Sequence, residues 1–80
     1  MFYYTYAISS LEHRYIYVGL TNTPKRRFLQ HQNGKEKTTA PYKPFKIILL
    51  EKFNDRIGAR KREKYLKSGV GKEFLKRLSI

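Results

Sequence analysis

The chain contains no cysteine. Disulfides, thiolate metal sites and thiol nucleophiles are therefore excluded, and the absence suits a reducing, cytoplasmic setting. Acidic residues are scarce as well: Asp and Glu number six against 18 Lys and Arg. Long apolar runs are missing. The longest, Ile47-Ile48-Leu49-Leu50, falls far short of the roughly 20 residues that span a bilayer, so no membrane segment is expected. Met1-Phe2-Tyr3-Tyr4-Thr5-Tyr6 offers no basic leader ahead of an apolar stretch, which argues against a signal peptide. Nor is there a Gly-rich phosphate loop, a His/Asp/Glu cluster spaced for zinc, a close pair of carboxylates, or a His/Asp partner set for Ser9 and Ser10. Those gaps set aside P-loop, zinc-hydrolase and serine-triad chemistry, and no small-molecule cofactor is expected. Without repeats or a linker, residues 1–80 read as one domain, expected to be monomeric.

What the chain does have is positive charge. A net charge of +12 works against the compact state by self-repulsion and points to a polyanionic partner, nucleic acid foremost. A simply soluble basic protein is the plain alternative.

Aromatic and β-branched residues over 2–8 suit a strand, and 14–18 alternates Tyr15 and Tyr17 with Ile16 and Val18. The polar break Ser9–His13 between them predicts a hairpin. Thr23 is a candidate cap, Pro24 suits a first helical position, and Asn33-Gly34 suits the helix end. Residues 35–44, charged and holding Pro41 and Pro44, read as a loop. Residues 45–51 predict a third strand, its apolar run covered by helices on both faces. Asn54 or Asp55 caps a second helix running to about Lys67, Ser68-Gly69-Val70-Gly71 breaks it, and 72–78 forms a short terminal helix. The order β-β-α-β-α-α predicts an α+β domain: a small three-stranded sheet flanked by helices.

Tyrosine is the unusual resource. Seven of the 80 residues are Tyr, and Tyr3, Tyr4, Tyr6, Tyr15 and Tyr17 fall in the predicted hairpin. Tyr4 and Tyr6 share one strand face, as do Tyr15 and Tyr17, and the register decides whether those faces coincide. Sheet core with hydroxyls at its rim explains the rings without function. Glu63 is the only acid from Arg56 to Lys67, and helical spacing puts it on the stripe of Ala59 and Leu66. An ion pair with Lys67, four residues on, is its plain explanation. Arg27, in the run Lys25-Arg26-Arg27, can turn to the sheet and grip a phosphate bidentately. His31 follows one turn later on the same helix face, placed to donate to a phosphate or carry a proton; a structural His is the alternative. His13 sits in a turn and reads as incidental.

Together these residues resemble the GIY-YIG nuclease family. Tyr4-Thr5-Tyr6 stands for the first half-motif and Tyr17-Val18-Gly19 for the second, followed by Thr21, Pro24, Arg26-Arg27 and His31; the block from Ala59 to Lys67 looks like the family's glutamate helix. Any one block is weak, but three in the right order and spacing, over nearly the whole chain, are specific, and closest to small stand-alone bacterial members. The chain departs from the pattern where Tyr4-Thr5 replaces the leading Gly-Ile, where Leu20 stands for a basic residue of some relatives, and in lacking a late Asn. The resemblance implies a three-stranded antiparallel sheet with flanking helices. It makes Tyr6 and Tyr17 the motif tyrosines, Gly19 the motif glycine, Arg27 the phosphate clamp, His31 the residue one turn later, and Glu63 the metal ligand.

On this resemblance the chain is expected to be an endonuclease that hydrolyses DNA phosphodiester bonds, in a role such as DNA repair. One divalent ion, Mg²⁺ or alternatively Mn²⁺, would be held by Glu63, water and phosphate oxygen. A tyrosine, Tyr6 or Tyr17, would activate water although a free phenol titrates near pH 10. Arg26, Lys35, Lys37, Lys43, Lys46, Arg60 and Lys64 are expected to bind the DNA backbone, branched or single-stranded forms included, with little sequence preference. Two other classes stand beside this expectation: a catalytically silent nucleic-acid binder and a basic adaptor for acidic proteins.

Overall fold

A computed structural model describes residues 1–80. Two strands, β1 (Tyr3–Ser10) and β2 (Ile16–Thr21), form the antiparallel hairpin, with Tyr6 opposite Gly19 and Ile8 opposite Tyr17. The third, β3 (Phe45–Phe53), pairs antiparallel with the other side of β1, so the sheet order is β2-β1-β3. Strand alternation sends Tyr6 and Ile8 to one face and Thr5 and Ala7 to the other.

β2 lies two to three residues later than the alternation of Tyr15 and Tyr17 predicts. The cause is the turn: Ser10 Oγ accepts the N–H groups of Glu12 at 3.2 Å and His13 at 3.0 Å, and the Ser10 N–H donates to the Tyr15 carbonyl at 2.9 Å. The ladder therefore starts at Ile16 and takes Gly19 inside the strand.

Three helices cover the sheet. The first, α1 (Pro24–Gln32), has Pro24 in its first turn, but Thr23 makes no side-chain capping bond; its hydroxyl lies 3.4 Å from the Thr21 hydroxyl instead. The second, α2 (Arg56–Leu66), is capped by Asp55, whose Oδ1 accepts from the Gly58 N–H at 2.8 Å. The last, α3 (Gly69–Leu78), corrects the expected break at Ser68–Gly71. Ser68 is its cap, with Oγ accepting from the Gly71 N–H at 3.3 Å, so those residues begin a helix rather than separate two. A Cβ on Gly71 would strike the backbone of Tyr65 and Leu66, which is why the turn between α2 and α3 can be so tight. The 35–44 loop carries a 3-10 turn, Ala40–Tyr42.

The two faces bury different chemistry. Under α2 and α3, Ala7 and Val18 meet Leu66 and Leu75, and Thr5 Oγ1 donates to the Ala59 carbonyl at 2.7 Å, tying α2 to the central strand. On the opposite face, Tyr6, Ile8 and Phe45 pack with Tyr17, Phe28 and Tyr42. The expectation that helices cover β3 on both sides fails there. The register of β3 slips between Ala7, opposite Leu49, and Ile8, opposite Ile47. The extra residue, Ile48, packs with Leu49 into the α2/α3 side. Ile47 and Leu50 are left 45% and 48% exposed, while Phe28 of α1 packs against the cluster of Tyr6, Ile8 and Phe45. No helix is long and apolar enough to cross a membrane.

Candidate active site

The register answers the question left by the tyrosine pattern. Ile8 faces Tyr17 across the ladder, so Tyr6, two residues from Ile8, shares a face with Tyr17. Their ring centroids are 6.2 Å apart. The Tyr6 ring lies over Gly19: a Cβ there would sit 2.5 Å from the Tyr6 hydroxyl oxygen and 2.6 Å from Cζ. The motif glycine is thus a bed for the motif tyrosine.

His31 completes the group from α1. It is fully buried, and its Nε2 and the Tyr6 hydroxyl are hydrogen-bonded at 2.9 Å. Its Nδ1 is hydrogen-bonded to Thr39 Oγ1 at 2.8 Å. Arg27, one turn earlier, puts its guanidinium beside both the Tyr6 and Tyr17 phenols. The same guanidinium donates to Glu36 Oε2 at 3.0 Å and to Gln30 Oε1 at 3.1 Å. Tyr6, Tyr17, Arg27 and His31 therefore meet on one face of the hairpin.

The electrostatics follow from burial. Desolvation pushes the Tyr6 phenol up to about 12, with the hydrogen bond from Arg27 pulling the other way. Burial also lowers the His31 imidazole below its ordinary value, and the Arg27 charge lowers it further. Burial alone would lower Arg27, but hydrogen bonds to Tyr6 and Glu36 outweigh it and hold the guanidinium charged. Glu36 is kept below the usual carboxylate range by the hydrogen bond from Arg27, then by the Thr38 N–H. The resting state is thus a neutral phenol against a neutral imidazole, with a cation alongside.

Glu63 belongs to the other helical layer. It is 8% exposed, on the buried stripe with Ala59 and Leu66, as its spacing predicts. Its polar partners are Lys67, at 3.2 Å from Oε2, and Arg60, at 3.5 Å from Oε1; no hydrogen bond or ion pair links it to the four residues of the α1 face. The plain ion-pair explanation therefore holds for Oε2. Oε1 is buried without any hydrogen bond. Neighbouring Arg62 reaches across to Glu51 of β3 at 2.7 Å. At about 100° per residue, Glu63 is turned away from Arg62 around α2. Lys67, its partner, borders the same cleft as Tyr17 and Val18.

The cations named from the sequence divide. Arg26 and Lys35 line one surface hollow on the outer side of α1. Lys43 runs beside Gly34, next to Lys35 in the chain, and Lys37 is exposed in the same loop. Arg60 and Lys64 lie on the outer side of α2. Lys46 does not join them, because its Nζ donates to the Ser79 carbonyl at 3.2 Å. A second cleft of about 910 Å³ between the hairpin turn and α3 is bordered by Arg14, Lys67, Lys72 and Lys76. Sequence reasoning passed over it, since these cations lie 53 to 62 residues from Arg14 in sequence and meet it only in the fold.

A family model described as the GIY-YIG catalytic domain matches residues 2–77. The chain belongs to the GIY-YIG family. No curated protein and no solved structure matches it. GIY-YIG proteins are typically endonucleases, so the fold is of a nuclease type and implies a nucleic-acid substrate. No group of three or more His, Asp or Glu side chains converges as a metal cage.

Two residues that bond this cluster escaped the sequence reading: Glu36, which holds Arg27, and Thr39, which bonds His31. Glu36 carried a signal. It is the only acid between Glu12 and Glu51 and sits between Lys35 and Lys37, the same isolation that singled out Glu63. Thr39 carried none, because its role arises only from the fold of the loop.

Proposed function

We propose that this GIY-YIG protein is a metal-dependent endonuclease that hydrolyses DNA phosphodiester bonds on the α1 face of its hairpin. The observation that carries this reading is the Arg27 guanidinium held beside two phenols, one of them hydrogen-bonded to a buried imidazole. A fixed cation there attracts a phosphate diester and stabilises the charge that develops as it is attacked.

A phenol pushed up to about 12 is a poor source of phenolate but, once deprotonated, a strong base. His31 Nε2, at 2.9 Å from the phenol oxygen, gives the hydroxyl proton a place to go. As the Tyr6 hydroxyl proton passes to Nε2, the phenol oxygen takes a proton from water, the water oxygen attacks phosphorus, and the leaving sugar oxygen acquires a proton from solvent. Tyr17, half-buried at the rim, orients that water. Glu36 occupies Arg27 until the substrate phosphate displaces it. The buried Oε1 of Glu63, which accepts no hydrogen bond and has only the Arg60 guanidinium at 3.5 Å, fits a hard divalent cation such as Mg²⁺ or Mn²⁺. When bound, the ion would neutralise charge on the phosphate and leaving oxygen. β2 is an edge strand, and on this reading the substrate strand runs past its rim, between Tyr17 on one face and Glu63 in the other layer. Arg26, Lys35, Lys37, Lys43, Arg60 and Lys64 supply contacts to the flanking backbone.

The silent nucleic-acid binder has one observation in its favour: Glu63 is already neutralised by Lys67 and Arg60. A cleavage assay across several DNA structures, with and without divalent metal, decides between them. The nuclease predicts metal-dependent cutting that Glu63→Gln and Tyr17→Phe abolish while salt-sensitive binding persists. Binding without cutting by the unmodified chain supports the silent binder.

A further inference from the structure

We propose that Thr39 is a positioning residue: by accepting the Nδ1–H of His31, it fixes the imidazole with a bare Nε2 turned to Tyr6. The proposal rests on the nuclease reading only for its effect on cleavage; the tautomer stands apart from it.

A neutral imidazole has one N–H and one acceptor nitrogen, and both nitrogens of His31 are engaged inside the protein. Two independent lines give the same assignment. Arg27 offers the Tyr6 oxygen only N–H donors. That directs the Tyr6 hydroxyl hydrogen to His31 Nε2 at 2.9 Å, with Nε2 unprotonated to receive it. From the other end, the Thr39 hydroxyl has a second acceptor in reach, the Glu36 carbonyl at 3.4 Å, so its oxygen can accept the Nδ1–H at 2.8 Å while its hydrogen turns to that carbonyl. Without Thr39 only the Tyr6 contact would favour this tautomer, and the buried Nδ1–H would lose the partner that holds it. The other tautomer would point an N–H at the phenol and close the proton's exit.

The loop is shaped to present this hydroxyl. The Thr39 and Ala40 N–H groups both bond the Glu36 carbonyl, at 3.2 and 2.9 Å, and Thr39 is fully buried although it lies in a charged loop. The turn that points Thr39 at His31 also starts at the residue that holds Arg27, so a single short loop orients both.

The test is ¹⁵N NMR of the His31 ring at neutral pH, assigned by its loss in His31→Gln. The expected result is a protonated Nδ1 and an unprotonated Nε2. Thr39→Val should shift the ring toward the Nε2–H tautomer and lower kcat for DNA cleavage about 10-fold to 100-fold with KM nearly unchanged. Thr39→Ser should restore both. An unmodified protein with a protonated Nε2, or a Thr39→Val protein whose tautomer does not move, overturns the proposal. The first of these measurements needs only the assignment, and His13→Gln, at an exposed turn position, supplies it if His31→Gln does not fold. The expected tautomers in a protein that cuts no DNA would uphold Thr39 as the orienter and reject the nuclease reading instead.

Discussion

The two faces of the sheet solve the same packing problem with opposite chemistry. Under α2 and α3, small and aliphatic side chains meet: Ala7, Val18, Leu66 and Leu75. Under α1, packing of Tyr6, Ile8, Phe28 and Phe45 carries a polar network within it: phenols, an imidazole, a guanidinium and a threonine hydroxyl. Apolar contact is non-directional and tolerates adjustment. A buried polar network costs free energy unless every member is paired, and that requirement locks each group in one orientation. The first face therefore holds the fold together, and the second holds geometry. Glu63 breaks the pattern, a carboxylate on the apolar side with one oxygen that accepts no hydrogen bond.

The strongest way to break this division is Glu63→Gln. If the acid serves chemistry from the supporting face, metal-dependent cleavage should fall about 10³-fold, the equivalent of several kcal/mol of lost charge stabilisation, while the melting temperature hardly moves. Cleavage that survives would confine function to the α1 face.

Leu66→Ala should cost about 2–5 kcal/mol in denaturant unfolding, since Leu66 is fully buried and joins α2 to the sheet core. The surviving folded fraction should keep the Tyr6–His31 bond, visible in the same His31 ¹⁵N spectrum. Loss of that bond would mean that the two faces are not separable.

Gly19→Ala probes the other face with a single methyl. The new Cβ meets the Tyr6 ring rather than backbone, so the ring should swing away at a cost of about 1–3 kcal/mol and release His31 Nε2. Full stability with an unchanged His31 spectrum would show that the ring does not need its glycine bed.

A subtler difference lies in pH. His31 in the folded chain titrates below its ordinary value, so as pH falls below about 6.5 the unfolded chain takes up a proton before the folded one does. Stability should drop through that window, by at most about 1.4 kcal/mol per pH unit, and level off once the folded imidazole titrates. His31→Gln should flatten the slope. Glu36 acts lower, its contribution present above the ordinary carboxylate range and lost as pH falls through its depressed folded value. Smallest of all, Lys67→Gln should change stability by no more than about 0.5 kcal/mol. By freeing Glu63 of a competing cation, it should also lower the metal concentration needed for half-maximal cleavage.

Much of this was legible beforehand, for reasons that differ by residue. The element order follows from local signals: Pro24 in a first turn, Asp55 as a cap, the period-two aromatics of β1. Arg27 and His31 share a helix face because they are four residues apart. The misses are equally physical. Ser68–Gly71 looked like a gap because two glycines weaken a helix, yet Gly71 is required by the close approach of α2. Ile47 and Leu50 looked buried because an apolar run does not reveal a β-bulge or the reach of a nine-residue helix.

By itself, then, the sequence determined which groups this protein owns: a cationic surface, a surplus of phenols, one acid on a helix's inward stripe, and the order of strands and helices, all properties of composition and short-range periodicity. The tertiary structure alone decided which of them meet. The pairing of Ile8 with Tyr17 brought two tyrosines to one face, a loop returning from α1 delivered Thr39 and Glu36 to His31 and Arg27, and the sheet set Glu63 in the opposite layer. Register, loop path and layer are fixed by contacts between residues far apart in the chain, and no local pattern encodes those.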